Sequence, residues 1–261
     1  MIGAIAGDII GSVYEHQPIK TKEFSLFHPA CRFTDDSVLT LAVAWAILNE
    51  APYAQALRAF GRRYPKAGYG ARFARWLEAD DAGPYNSWGN GAAMRAGPVG
   101  LAFDDEARVC HEAEKSARCT HDHPEGIKGA QAIALAVYLA RTGHPRREIR
   151  DAIQAEFGYD LKRRLADIRA EYRFDPSCQG SVPPALIAFF ESEGFEDAIR
   201  NAVALGGDSD TLACMTGSVA GAFYRSIPED IQVYVASRLP PELHAILQAF
   251  CHGYPCGPGQ A

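Results

Sequence analysis

Two short stretches set acid and hydroxyl side chains side by side. TDDS at 34–37 offers Thr34, Asp35 and Asp36, and LGGDSDT at 205–211 offers Asp208, Asp210 and Thr211. Each heads a strongly apolar run, SVLTLAVAWAILN over 37–49 and LACMTGSVAGAFY over 212–224. One aspartate at such a point is an ordinary helix N-cap. A second needs its own reason, because desolvating a carboxylate is costly unless a cation or donors compensate. If both runs are central helices, their heads bring four carboxylates together. Like charges at ~4 Å repel by about 4 kcal/mol at an effective dielectric of 20, so protons or cations must sit between them. The set is all oxygen, without His or Cys, which favours hard ions of the Mg²⁺, Mn²⁺ or Ca²⁺ type over zinc. Adjacent carboxylates in TDD diverge and suit bridging two ions. Those of DSD can turn to one centre from an irregular loop before a helix. The structural alternative is two capped helices, each with a spare acid. Two similar motifs on the two most apolar helices favour the cation site.

A third stretch, NSWGNGAAMR at 86–95, precedes another apolar run. Small residues there present backbone N–H groups at a helix start, which suits a phosphate or diphosphate. Trp88 within it is a partly buried ring or a stacking platform. Glu15, in SVYEH, closes the predicted N-terminal helix, where a solvated role is the ordinary one. Cys119, His121 and His123 in CTHDH match no common zinc spacing, which leaves hydrogen-bonded histidines or ligand contacts. Ser209 is no hydrolase nucleophile, since GGDSDT lacks the last glycine of G-x-S-x-G and follows no strand. Neither phosphate-binding glycine motif of the nucleotide folds occurs.

The elements that must position these groups are helices. Apolar residues recur at helical spacing over 53–63, 71–79, 91–102, 105–118, 126–141, 146–156, 161–171, 183–191, 195–204, 211–224 and 229–237, besides 37–49. Strand alternation is nearly absent, so the pattern predicts a compact all-α protein, one domain over 1–261. Gly3, Gly7 and Gly11 fall on one face of a helix predicted over 2–14, and Gly217 and Gly221 repeat the spacing later. A glycine stripe implies close backbone approach, and the two helices are expected to pair centrally. Hydrophobic content of 48%, charged content of 22% and a net charge of −6 fit a globular protein. They argue against general nucleic-acid binding or a membrane surface partner. The apolar N-terminus lacks a basic region and is broken by Asp8, unlike a secretory signal. No run reaches the roughly 18 apolar residues of a membrane span. Seven scattered cysteines with no C-x-x-C pair point to reduced thiols and a cytoplasmic setting.

Taken in order, GDIIGSVYEH at 7–16, TDDS, GNGAAMR at 89–95, TH at 120–121 and LGGDSDT resemble the ADP-ribosylglycohydrolases, the group that includes the dinitrogenase-reductase-activating glycohydrolase. The likeness runs from about residue 1 to 226. It implies a compact single-domain orthogonal multi-helix bundle around a central binuclear Mg²⁺ or Mn²⁺ site, with a monomer expected. Thr34, Asp35, Asp36, Asp208, Asp210 and Thr211 match the metal-ligand positions. Glu15 matches the glutamate beside the scissile bond. Ser87, Trp88, Gly89, Asn90 and Gly91 match the loop that holds the phosphates and proximal sugar, and His121 a substrate-contacting histidine. The implied substrate is an ADP-ribosylated protein side chain, small molecule or nucleobase. Its glycosidic bond would break through an oxocarbenium-like state, with Asp36 or Glu15 activating water or protonating the leaving group. Two departures are Ala92, where a glycine often follows GNG, and Arg225, where a glycine often follows the last tyrosine. FSLFHPACRF at 24–33 is expected to form a lid. The alternatives are a non-catalytic ADP-ribose binder or crystallin-type structural relative, and a metal-dependent hydrolase of another phosphorylated substrate.

Overall fold

The computed structural model describes residues 1–254, so the last residues of the expected 1–261 domain, Cys256 included, lie outside it. Among the described residues fourteen α-helices follow one another: α1 (Ile2–Gly11), α2 (Asp35–Leu48), α3 (Tyr53–Arg63), α4 (Ala71–Glu78), α5 (Gly97–Ala102), α6 (Glu106–Arg118), α7 (Pro124–Arg141), α8 (Arg146–Phe157), α9 (Leu165–Glu171), α10 (Cys178–Phe190), α11 (Phe195–Val203), α12 (Ser209–Tyr224), α13 (Glu229–Arg238) and α14 (Pro241–Gly253). Among the described residues there is no strand, only an isolated bridge between Gly89 and Ser177. The helices close over one hydrophobic core.

The core is organised on α12, which packs against α1, α7, α10 and α11. It is buried without interruption from Ser209 to Ala220, as an all-round apolar helix must be. Its tightest partner is α1. A Cβ on Gly3 would lie 2.3 Å from the carbonyl oxygen of Gly217, one on Gly7 2.0 Å from that of Ala213, and one on Gly11 2.5 Å from that of Ser209. The two helices therefore run antiparallel with backbones in contact, one turn of α1 meeting one turn of α12. That register lays the end of α1 against the head of α12.

Several boundaries differ from the predicted ones for identifiable reasons. The N-terminal helix stops at Gly11, and the Ser12 hydroxyl donates back to the Ile9 carbonyl. Glu15 thus stands in the following turn and not on the helix. The region predicted as one helix over 91–102 is two 3-10 turns, 90–92 and 94–96, followed by α5. Pro98 fits only the start of a helix, and the Arg95 side chain folds back to donate to the Gly91 carbonyl. In the reverse sense, α10 starts at Cys178 instead of 183, because Ser177 accepts from the Gly180 N–H and caps it. Pro183 and Pro184 sit inside this helix, and two backbone bonds are lost there. The 161–171 prediction contracts to α9. Absent from the predictions is α14, although Leu243, Ile246, Leu247 and Phe250 carry its apolar spacing and are buried.

Two departures from the family pattern find a place in the fold. Arg225 takes the left-handed conformation after α12 (φ 57°), where glycine is the unstrained choice, and donates to the Arg141 carbonyl. Ala92 is buried and does not line the central cleft. Among the described residues, six cysteines are free thiols, and no helix is long and apolar enough to cross a membrane.

Replacing Gly7 by alanine isolates the α1–α12 contact. Alanine favours a helix interior by about 1 kcal/mol over glycine, so clash alone can reverse the sign. Gly7→Ala is expected to lower the unfolding free energy by about 2 kcal/mol, as overpacking does. Gly70→Ala, where an added Cβ meets nothing within 4 Å, should stay within about 0.5 kcal/mol. Urea titrations of both variants make the comparison.

Candidate functional site

The site starts from a residue that the sequence reading treated only as a break in an apolar run. Asp8 is fully buried on α1. Its Oδ2 accepts from the backbone N–H groups of Thr34 (2.9 Å) and Ser37 (3.0 Å) and from the Ser37 hydroxyl, and its Oδ1 from the Thr34 hydroxyl (2.6 Å). A carboxylate from α1 thus satisfies the free donors at the start of α2. The readable signal was an acid inside an otherwise apolar helix, which must find donors.

With α2 fixed to α1 and α1 fixed to α12, the two acidic heads meet. The Thr211 hydroxyl donates to Asp36 Oδ2 at 3.1 Å, and Asn90 Nδ2 donates to Asp208 Oδ2 at 2.7 Å. One oxygen each from Asp8, Asp36 and Asp210 lie within 4.8 Å of one another, and so do oxygens from Glu15, Asp208 and Asp210. Asp210 belongs to both groups. Asp35 diverges from Asp36 as a helical neighbour must. Its backbone N–H donates to Ala67, while its side chain lies near Gly68 and lines the cleft. Thr34, Asp35, Asp36, Asp208, Asp210 and Thr211 all line that cleft, together with Glu15.

The electrostatics are those of crowded acids. Burial pushes Asp35 up to about 8, with Asp8, Asp208 and Glu15 adding to the rise. Burial and the neighbouring carboxylates raise Asp36 and Asp210 well above the usual carboxylate range. Glu15 is raised by burial and Asp208, and partly relieved by His16 and Arg32. The oxygens differ in what satisfies them. Asp8 has donors on both, whereas Asp36 Oδ1 is buried without a partner. Oxygen-only donors, mutual repulsion and an orphaned carboxylate oxygen fit hard divalent cations. Asp8 is better described as the support of α2 than as a ligand.

The cleft has a volume of about 470 Å³, within the range of small-molecule sites. Ser87, Gly89, Asn90, Gly91 and His121 line it, but Trp88 does not. The Trp88 ring is 48% exposed and packs edge-on against His123 at 5.6 Å. Burial, then Arg95 and Arg72, holds the His121 imidazole well below its usual pKa, so it stays neutral. Gly206 and Gly207, before α12, have φ of 63° and 150°, a turn that other residues enter only with strain. The expected lid over 24–33 is tied to the body instead. The His28 and Pro29 carbonyls accept from Tyr234 and Arg238 of α13, and Phe24 packs edge-on against Tyr14 at 4.9 Å. From this segment only Arg32 lines the cleft.

Comparison with known proteins gives a consistent set of likenesses. The family model described as ADP-ribosylglycohydrolase matches residues 1–253. The chain is 26% identical to the ADP-ribosylhydrolase ARH3 of Xenopus tropicalis, with 86% of this chain and 85% of that protein aligned. It is 24% identical to the ADP-ribosylarginine hydrolase Tri1 of Pseudomonas putida, over 86% of this chain and 69% of that one. A solved structure described as an ADP-ribosylglycohydrolase-related protein complex superposes with a TM-score of 0.72 at 25% identity, covering 97% of each chain.

The raised carboxylates carry a pH signature in the presence of a chelator. In an unfolded chain an aspartate loses its proton near pH ~3.9, but folded Asp35 keeps it up to about 8. The folded state binds more protons between those values, so this contribution to stability is present below about pH 4 and is lost as pH rises through about 8. Thermal melts in EDTA should give a Tm that falls across this window more steeply in the wild type than in Asp35→Asn. Equal slopes would show that Asp35 does not titrate this way.

Proposed function

The chain belongs to the ADP-ribosylglycohydrolase family, and on that premise we propose that it is a divalent-cation-dependent hydrolase. In this reading it cleaves the glycosidic bond between ADP-ribose and an acceptor, either a protein side chain or a nucleobase. The observation that carries it is the meeting of the two acidic helix heads, with an unpartnered Asp36 oxygen, in one cleft with Glu15 and the 87–91 loop. Free thiols among the described residues accord with a reducing, cytoplasmic setting.

Thr34, Asp35, Asp36, Asp208, Asp210 and Thr211 would hold two Mg²⁺ or Mn²⁺ ions, with Asp210 common to both oxygen groups. Bound there, such ions would supply Lewis-acid chemistry, orienting the ribose hydroxyls and easing deprotonation of water. The protein's own groups divide the remaining work. Asp36 is 2% exposed and held by Thr211, which suits a ligand more than a mobile base. The Glu15 side chain keeps 25% of its surface and has a raised pKa, which suits proton exchange with the reacting groups. In the reaction the bond from the anomeric carbon to the acceptor breaks and its electron pair leaves with the acceptor, which takes a proton. The oxygen of a water molecule bonds to the carbon, and its spare proton passes to a carboxylate. Asn90 spends one amide N–H on orienting Asp208, leaving its other polar atoms for the sugar. Ser87, Gly89 and Gly91 border the space for the diphosphate, with His121 beside them. A substrate role for Trp88 requires the ligand to extend past the cleft onto its exposed ring.

Arginine-, serine- and nucleobase-linked ADP-ribose assayed with Mg²⁺ and Mn²⁺ test this reading. Release of ADP-ribose should cease in EDTA and return with either ion. Glu15→Gln should lower kcat by about 10²–10⁴-fold, the range of general acid–base catalysis. Asp36→Asn should abolish turnover in a protein with unchanged circular dichroism. Undiminished activity in EDTA overturns cation dependence, and ADP-ribose binding without turnover of any linkage points to a non-catalytic binder.

A further inference from the structure

Arg95 is the largest fully buried side chain among the described residues, and no acid pairs with it. Nη1 donates to the Gly91 carbonyl at 3.0 Å, while Nη2 donates to the Ser116 carbonyl at 3.1 Å and to the Thr120 hydroxyl at 3.0 Å. Beyond Thr120 stands His121, whose Nδ1 is 2.6 Å from the same hydroxyl oxygen. Donor capacity fixes the first of these bonds and constrains the second. A guanidinium only donates, so Thr120 Oγ1 must accept from Arg95. The single hydroxyl proton is then free for Nδ1, its shortest contact, while the Tyr85 hydroxyl that also bonds Thr120 can donate to the second lone pair. An accepting Nδ1 places the ring proton of the neutral imidazole on Nε2.

Nε2 faces the glycine loop of the cleft. A Cβ on Gly91 would lie 3.2 Å from it and one on Gly89 3.5 Å, so only glycine at these positions leaves the nitrogen open. The Tyr85 ring, 5.8 Å from the imidazole, restricts its swing. One buried guanidinium thereby sets both the carbonyl of the loop and the orientation of the histidine beside it.

We propose that Arg95 and Thr120 are positioning residues that lock His121 as the Nε2–H tautomer, a fixed hydrogen-bond donor to a ligand oxygen at the Gly89–Gly91 loop. Assigning that oxygen to a ribose hydroxyl or phosphate of ADP-ribose rests on the function proposed above, whereas the tautomer does not. The neutral ring follows from burial and from Arg95 itself. It donates one hydrogen bond without adding charge beside the acidic centre.

The test uses the full chain labelled with ¹⁵N-histidine and free of substrate. Long-range ¹⁵N–¹H spectra are expected to show His121 protonated at Nε2 with an unprotonated Nδ1. Thr120→Val, nearly isosteric in this fully buried position, should give mixed tautomers, and Thr120→Ser should restore the wild-type pattern. Calorimetry with ADP-ribose should give a Kd about tenfold weaker in Thr120→Val, the equivalent of about 1.4 kcal/mol, and a near wild-type Kd in Thr120→Ser. An Nδ1-protonated ring in the wild type, or an unchanged tautomer in a folded Thr120→Val, overturns the proposal. If the tautomer follows Thr120 but the wild type does not bind ADP-ribose, the positioning role stands and the ADP-ribosyl reading fails.

Discussion

The candidate centre depends on a contact that contains no polar side chain. Gly7 lies so close to Ala213 that a methyl group would sit 2.0 Å from its carbonyl oxygen. At that approach α1 and α12 have essentially one relative position, because either helix can slide only by driving backbone into backbone. The end of α1 is held beside the head of α12, and the carboxylates of Asp208 and Asp210 are delivered to Glu15.

The second constraint is the capping of α2 by Asp8. Desolvating this carboxylate costs several kcal/mol in principle, and four donors from Thr34 and Ser37 offset part of that cost, burial still holding its pKa above the usual carboxylate range. The same bonds turn the start of α2 toward α12, so Asp36 meets Thr211. A buried acid thus serves as a strut while Asp36 keeps an unpartnered oxygen. The contrast between satisfied Asp8 and orphaned Asp36 Oδ1 separates a supporting carboxylate from one with an unmet acceptor more clearly than burial does.

The side of the cleft around His121 follows a similar logic. Arg95, fixed by carbonyls and a hydroxyl, orients the Gly91 backbone and the Thr120–His121 pair without bringing another acid into the site. Negative charge is concentrated on the two helix heads, and the surface beside them offers Arg32, Arg72 and the amide and N–H donors of the loop.

Composition and periodicity determined that the protein is built of helices and that α2 and α12 lie largely in the core, but not that α1 is buried more fully than either. They identified the acidic heads and the glycine stripe, since hydroxyl–acid pairs before apolar runs are local signals. Three features were legible only in part. Glu15 was placed on a helix that in fact ends at Gly11, the 91–102 helix is regular only from Gly97 onward with Pro98 in its first turn, and α14 went unread despite its apolar spacing. Tertiary structure alone decided that Asp8 caps α2, that Trp88 turns away from the cleft, and that 24–33 is tied to α13. Each of these depends on a partner distant in the chain. A residue's type and its near neighbours say that a carboxylate needs donors or a ring needs cover. Which groups supply them is set by how the helices pack.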